Sequence, residues 1–167
     1  MLNQTFELRP IQPGDEAFMW DMLSASIFVP EGGEPRPSLD KLRTYPEITH
    51  YVEDWGHPHD FGYIAVATST GMPIGAVWLR QFDAAHAGYG YVNDDTPEVC
   101  TLAVQPDWRG ARVGTALMQA ILAYADAHYG TVSLSCDPRN SALQLYQRHG
   151  FRKVGESGTS DTLLRTR

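Results

Sequence analysis

Cysteine is scarce in this sequence: Cys100 and Cys136 are the only two among 167 residues. Two are too few for a disulfide framework, and neither is flanked by zinc-ligand spacing. Each is expected to be a buried, reduced thiol in an apolar strand. No stretch approaches the roughly 18 uninterrupted apolar residues that cross a bilayer, so no membrane partner is expected. Residues 1–10 contain no basic segment leading into an apolar run, so no signal peptide is read and a cytoplasmic location is expected. Basic residues are outnumbered, with 13 Lys and Arg against 20 Asp and Glu for a net charge of −7. That balance speaks against a nucleic-acid partner and would favour a cationic one. The phosphate-binding patterns of nucleotide enzymes are missing too. No Gly-Lys-Ser or Gly-Lys-Thr occurs, and Gly110 and Gly114 do not complete a dinucleotide fingerprint.

What remains is the composition of one globular domain, 43% hydrophobic and 20% charged, in a length that suits one core and would crowd two. Residues 5–9 alternate as a first strand, closed by Pro10 and Pro13. Asp15 and Glu16 then open a helix in which Phe18, Met19, Met22, Leu23 and Ile27 recur at helical spacing. Residues 29–37 are dense in proline and glycine and read as a loop. A second helical stretch is expected over 39–55, interrupted near Pro46, and the two helical pieces would roof a pocket. Phe61–Ala67 and residues 74–82 form a hairpin signal around Gly71 and Pro73; residues 83–97 are a long polar connection, and Glu98–Val104 is a further strand. From 111 to 128, Val113, Leu117, Ala120, Ile121 and Tyr124 mark a helix that Gly130 stops. Thr131–Cys136 is a strand. Asn140 is placed as the N-cap of a last helix burying Ala142, Leu145, Tyr146 and His149, and residues 151–154 and 162–165 close the sheet. The sum is one α/β domain over 1–167, with about seven strands and four helices.

The informative stretch is the turn between the strand ending at Val104 and the long helix, where Arg109 and Gly110 precede the first helical turn. Amides at a helix N-terminus have no intrahelical partner, and the helix dipole adds positive potential, so such a start suits a pyrophosphate. Glycine there lets a phosphate approach the backbone. A plain strand-turn-helix connection has the same look, so the turn needs a second feature beside it.

Two motifs together resemble the GNAT family of N-acetyltransferases. That family's coenzyme motif reads Q/R-x-x-G-x-G/A. Arg109-Gly110-Ala111-Arg112-Val113-Gly114 matches its first and last positions and carries Arg112 where glycine is usual. The second motif, an Asn, then Leu-Tyr, then Gly-Phe, is met by Asn140, Leu145-Tyr146 and Gly150-Phe151 in a shorter spacing. The resemblance covers residues 98–154. It implies a GNAT-like single-domain fold, with a mixed, mostly antiparallel sheet splayed at its central strands, and acetyl-CoA as cosubstrate with no metal. By position, Leu102, Ala103 and Val104 would lend backbone groups to the pantetheine arm. The amides of Arg109, Gly110, Ala111, Arg112, Val113, Gly114 and Thr115 would hold the pyrophosphate, with Arg112 adding charge. Asn140 would contact the coenzyme, a role compatible with capping its helix.

The resemblance also implies Tyr146 as general acid for the departing thiolate, a role suited to a phenol whose pKa of about 10 lies near that of a thiol. Its alternative reading is a packed aromatic on the last helix. Glu98 is the candidate base, four residues before Leu102 and on the same face by the period of two; otherwise it is a strand-edge carboxylate after Thr96-Pro97. Asp94 and Asp95 are second choices. Cys100, expected on that same face, lacks the paired histidine a nucleophile would need. The expected reaction is direct transfer of an acetyl group to a primary amine of a small molecule or peptide, with a non-catalytic acyl-CoA-binding sensor as the alternative. The acceptor pocket would come from residues 28–55 and 83–97, and Trp20, Phe28, Trp55 and Trp78 are its candidate aromatics, with a core role the better reading of any single one. Assembly as a homodimer is left open.

Overall fold

The computed structural model describes residues 4–167, organised on one seven-stranded sheet in the order β1-β2-β3-β4-β5-β7-β6. β1 (Phe6–Pro10), β2 (Phe61–Ala67), β3 (Pro73–Arg80) and β4 (Glu98–Val104) pair in antiparallel succession. β5 (Thr131–Cys136) runs parallel to β4, and β7 (Ser160–Thr166) and β6 (Arg152–Ser157) complete the sheet antiparallel. β2, β4 and β5 have the bounds that their apolar runs predict, while β1, β3, β6 and β7 differ by a few residues at their ends.

Among the described residues five α-helices form where four are expected. α1 (Glu16–Ser26) buries Met19, Trp20, Met22 and Leu23, and Ile27 lies just past its end with an extended backbone. The interrupted second helix is instead two single turns, α2 (Leu39–Leu42) and α3 (Pro46–Thr49). Proline disfavours helical backbone in the residue before it. Tyr45 is accordingly extended, at φ −97° and ψ 107°, which separates the two turns. α4 (Val113–His128) is the long helix and α5 (Ala142–Arg148) the last. Ser141, not Asn140, takes the N-cap position of α5; Asn140 still serves the helix start, because its Oδ1 accepts the Ala142 N–H at 2.9 Å. The expected face of α5 is half-buried rather than buried, with Ala142, Leu145, Tyr146 and His149 partly covered while Gln144, Gln147 and Arg148 are exposed. Leu143 and Tyr146, one turn apart, pack against the core, and no residue of this short helix is fully buried.

The sheet carries a core on each face. α4 sets Leu117, Met118 and Ile121, all fully buried, against Val77, Leu79, Val132 and Leu134. Burying side chains of this size stabilises by about 1.5–3 kcal/mol each. On the other face α1 and the segment after α3 cover Ile64, Ala76 and Trp78. Trp78 is fully enclosed, and its indole N–H donates to the Tyr51 carbonyl at 2.9 Å, which satisfies its one polar group. Among the described residues no helix is long and apolar enough to cross a membrane.

One joint in the sheet differs from the others. β4 and β5 share a single register pair, Glu98 with Ser133, beside the bond from the Ser133 N–H to the Pro97 carbonyl at 3.0 Å. Past that point the two strands diverge.

Candidate active site

The divergence of β4 and β5 opens a cavity of about 910 Å³. Its wall gathers Glu98, Leu102, Ala103, Val104, Arg109, Asn140 and Tyr146 from the predicted site residues, and Leu134, Ser135 and Cys136 of β5, with Asp137 just past its end, face them. Gly110, Ala111, Arg112, Val113, Gly114 and Thr115 lie past this wall, around the start of α4.

The start of α4 has an unusual backbone. Gly110 has φ +79° and Arg112 has φ +65° and ψ 18°. Both are left-handed, so the arginine occupies a conformation that favours glycine, at a cost of about 1–2 kcal/mol. The helical ladder begins with the Ala116 N–H on the Arg112 carbonyl at 3.1 Å, which leaves the amides of Val113, Gly114 and Thr115 without intrahelical partners. Free amides after a left-handed residue form a concave anion-binding arrangement. Val113 takes part through its backbone alone, because its side chain is buried in the core. Gly114 approaches the end of β4, with only Val104 Cγ2 near an added Cβ, at 3.8 Å.

Glu98 is the most perturbed carboxyl in the cavity. It is buried, and burial pushes its pKa up to about 7 against the pull of two hydrogen bonds. The Gly90 N–H and the Tyr51 hydroxyl each donate to its Oε1 at 2.9 Å, while its buried Oε2 has no protein partner. The face expected for it is wrong. Thr101 sits opposite Trp78 and Val99 opposite Leu79, so Cys100 is an extra residue, a β-bulge in β4. The bulge breaks the period of two. Glu98, opposite Arg80 on the other side of the bulge, therefore lies on the Trp78 face, whereas Leu102, opposite Val77, packs toward α4.

Tyr146 lines the same cavity from α5 and meets Phe151 edge-on, with ring centroids 6.1 Å apart. Burial, and then Cys136 beside it, push its phenol well above the usual value, so it stays protonated. At the end of β5, Asp137 is chelated by Arg139 through Nε at 3.0 Å and Nη2 at 2.7 Å. These bonds hold the Asp137 carboxyl down to about 2.

Residues 19–151 match the sequence model of the Acetyltransferase (GNAT) family. The chain belongs to this family. A mycothiol acetyltransferase of Nocardiopsis dassonvillei is 31% identical over 148 residues, an alignment taking in 86% of this chain and 42% of the relative. The chain spans less than half the length of the curated relatives it matches. A putative acetyltransferase of Acinetobacter baylyi shares the fold with a TM-score of 0.71 at 16% identity, covering 100% of this chain and 94% of that one. The PaiA N-acetyltransferase of Thermoplasma acidophilum, solved in complex with coenzyme A, has a TM-score of 0.63 at 16% identity, covering 98% and 99%.

Several expectations about this GNAT site need correction. Trp78 and Trp20 are core residues, and Trp55 packs edge-on against Trp78 at 6.4 Å; of the four candidate aromatics only Phe28 lines the cavity. Asp94 and Asp95 are exposed outside the cavity wall, and Asp94 accepts the Tyr91 hydroxyl. Both cysteines are free thiols; Cys136 is buried, but Cys100 is only half-buried, because the bulge turns it toward the cavity. Tyr51, Gly88 and Gly90, which touch Glu98, have no site role that the sequence alone signals. The available signal was the pair of glycines in 83–97, whose meaning depends on a carboxylate that only the folded chain brings near.

Proposed function

We propose that this GNAT chain transfers an acetyl group from acetyl-CoA directly to a primary amine of a small molecule or peptide, with Glu98 as base and Tyr146 as acid. The observation that carries the reading is that both residues line one cavity, opened by the divergence of β4 and β5 beside the free amides of α4. Family membership and the coenzyme A complex of the Thermoplasma acidophilum structure support the same donor.

In this reading the amides of Val113, Gly114 and Thr115, with Arg109 and Arg112, take the pyrophosphate. Leu102, Ala103 and Val104 offer the pantetheine arm the β4 edge that β5 leaves unpaired, and Asn140 contacts the coenzyme from the start of α5. Glu98, with a pKa of about 7, is ionised often enough at neutral pH to accept a proton from the incoming ammonium. The amine then attacks the thioester carbonyl, and the tetrahedral intermediate collapses with expulsion of the thiolate. Tyr146 protonates that thiolate.

The test is thiol release from acetyl-CoA across a panel of amines, including compounds related to mycothiol, the compound named in the curated relatives' description. With an accepted amine, kcat/KM should rise with pH through a midpoint near 7 in the wild type and lose that limb in Glu98→Gln. Acetyl-CoA binding without thiol release on any amine would point instead to an acyl-CoA-binding sensor.

A further inference from the structure

We propose that Tyr51 is a positioning residue for Glu98, and that Gly88 and Gly90 are glycines so that the 83–97 connection can close on that carboxylate. The proposal rests on the reading of Glu98 as base, and its test separates the two.

Tyr51 is held from three sides. Its carbonyl accepts the Trp78 indole N–H at 2.9 Å, and its ring meets those of His50 and Phe82 edge-on at 4.5 Å and 5.6 Å. The turn that carries it is pinned by Arg80, which donates to the carbonyls of His50 at 2.9 Å, Glu53 at 2.6 Å and Asp54 at 3.3 Å. Arg80 also pairs through Nε and Nη2 with Asp60, at 3.0 Å and 3.1 Å. The Tyr51 hydroxyl therefore has a defined place and a defined direction. It accepts the Tyr89 N–H at 2.7 Å, so its own proton points to Glu98 Oε1.

The loop reaches the carboxylate through two positions that tolerate no side chain. A Cβ on Gly88 would sit 2.1 Å from Glu98 Oε2 and 2.8 Å from the Tyr51 hydroxyl. One on Gly90 would sit 2.9 Å from Glu98 Oε1 and 2.7 Å from the Leu134 carbonyl carbon. Neither clash ends on a flexible side-chain tip that could simply move aside, because the carboxylate is itself buried and bonded.

The other ionisable groups around Glu98 are Cys100 on its own strand and Arg80 in register across β3, whose guanidinium is occupied by Asp60. Glu47 lies near Tyr89 and lines the same cavity. The charged form of Glu98 thus depends on the Tyr51 hydroxyl and the Gly90 amide.

The experiment is a carboxyl titration by NMR on glutamate-labelled protein, comparing wild type, Tyr51→Phe and, for assignment, Glu98→Gln, alongside pH–rate profiles. Tyr51→Phe removes a donor to the carboxylate and should move the Glu98 midpoint upward by about 0.5–1 pH unit, carrying the acid limb of kcat/KM with it. KM for acetyl-CoA should stay unchanged. Gly88→Ala, whose Cβ would press on both Glu98 and the Tyr51 hydroxyl, should lower kcat/KM at least about tenfold while acetyl-CoA still binds. An unmoved Glu98 midpoint in folded Tyr51→Phe, or wild-type rates in Gly88→Ala, would overturn the proposal. A shifted midpoint without any matching limb in the rate would uphold Tyr51 as the positioning residue and remove Glu98 as base.

Discussion

Arg112 holds a left-handed backbone at the mouth of α4, where a side chain is a conformational burden. Replacing it with glycine removes that strain but adds freedom to the unfolded chain. The balance favours Arg112→Gly by about 0.5–1 kcal/mol, a rise in Tm of about 1–4 °C by calorimetry. A drop in Tm would mean that the arginine side chain repays its backbone. At Tyr146 the question is chemical. Tyr146→Phe keeps the packing against Phe151 and deletes the proposed proton donor. It should lower kcat by about 10–100-fold while leaving acetyl-CoA affinity within about twofold. Unchanged turnover would return Tyr146 to a packing role. Both residues were visible in the sequence through motif position. The left-handed backbone of Arg112 shows only in the folded turn.

Among the elements, the turn segment after α3 depends on one side chain from another strand. Arg80 on β3 is buried and gives hydrogen bonds to three carbonyls and to Asp60. A lysine keeps the charge but presents a compact ammonium that cannot span those acceptors. Arg80→Lys should therefore cost about 2–4 kcal/mol in urea unfolding, because carbonyls and a buried carboxylate lose partners. A loss under about 0.5 kcal/mol would show that the turn stands without it. The bounds of β2, β4 and β5 were legible because apolar runs end at turn residues. The bulge at Cys100 was not. A bulge is a relation between two strands, and β4 read alone shows only its own alternation, which put Glu98 on the wrong face.

For the molecule as a whole, the carboxyl proposed as the base also weakens the fold. Glu98 sits at about 7 in the folded protein against an ordinary 4.5, because burial disfavours its charge. Between those two values the folded state binds more protons than the unfolded one, so stability falls as pH rises from about 4.5 to about 7 and stays lower above it. Glu98→Gln removes this penalty. Its stability relative to wild type should grow between pH 5 and pH 8, by at most roughly 3 kcal/mol in paired denaturant titrations. A difference that does not change with pH would mean that Glu98 titrates as an ordinary carboxyl. The penalty is borne where the sheet is weakest in pairing, at the single β4–β5 register pair of Glu98 and Ser133.

By itself the sequence determined the order of strands and helices and the helix start with free amides, because these follow from local periodicity, proline and glycine placement and capping. Its two motifs also determined the family, since each is a run of neighbouring residues. Only the tertiary structure decided which groups meet at Glu98. Tyr51, Gly88, Gly90 and Cys100 take their meaning from a bulge, a register and a loop crossing. These are set by contacts between distant segments, which no local pattern encodes.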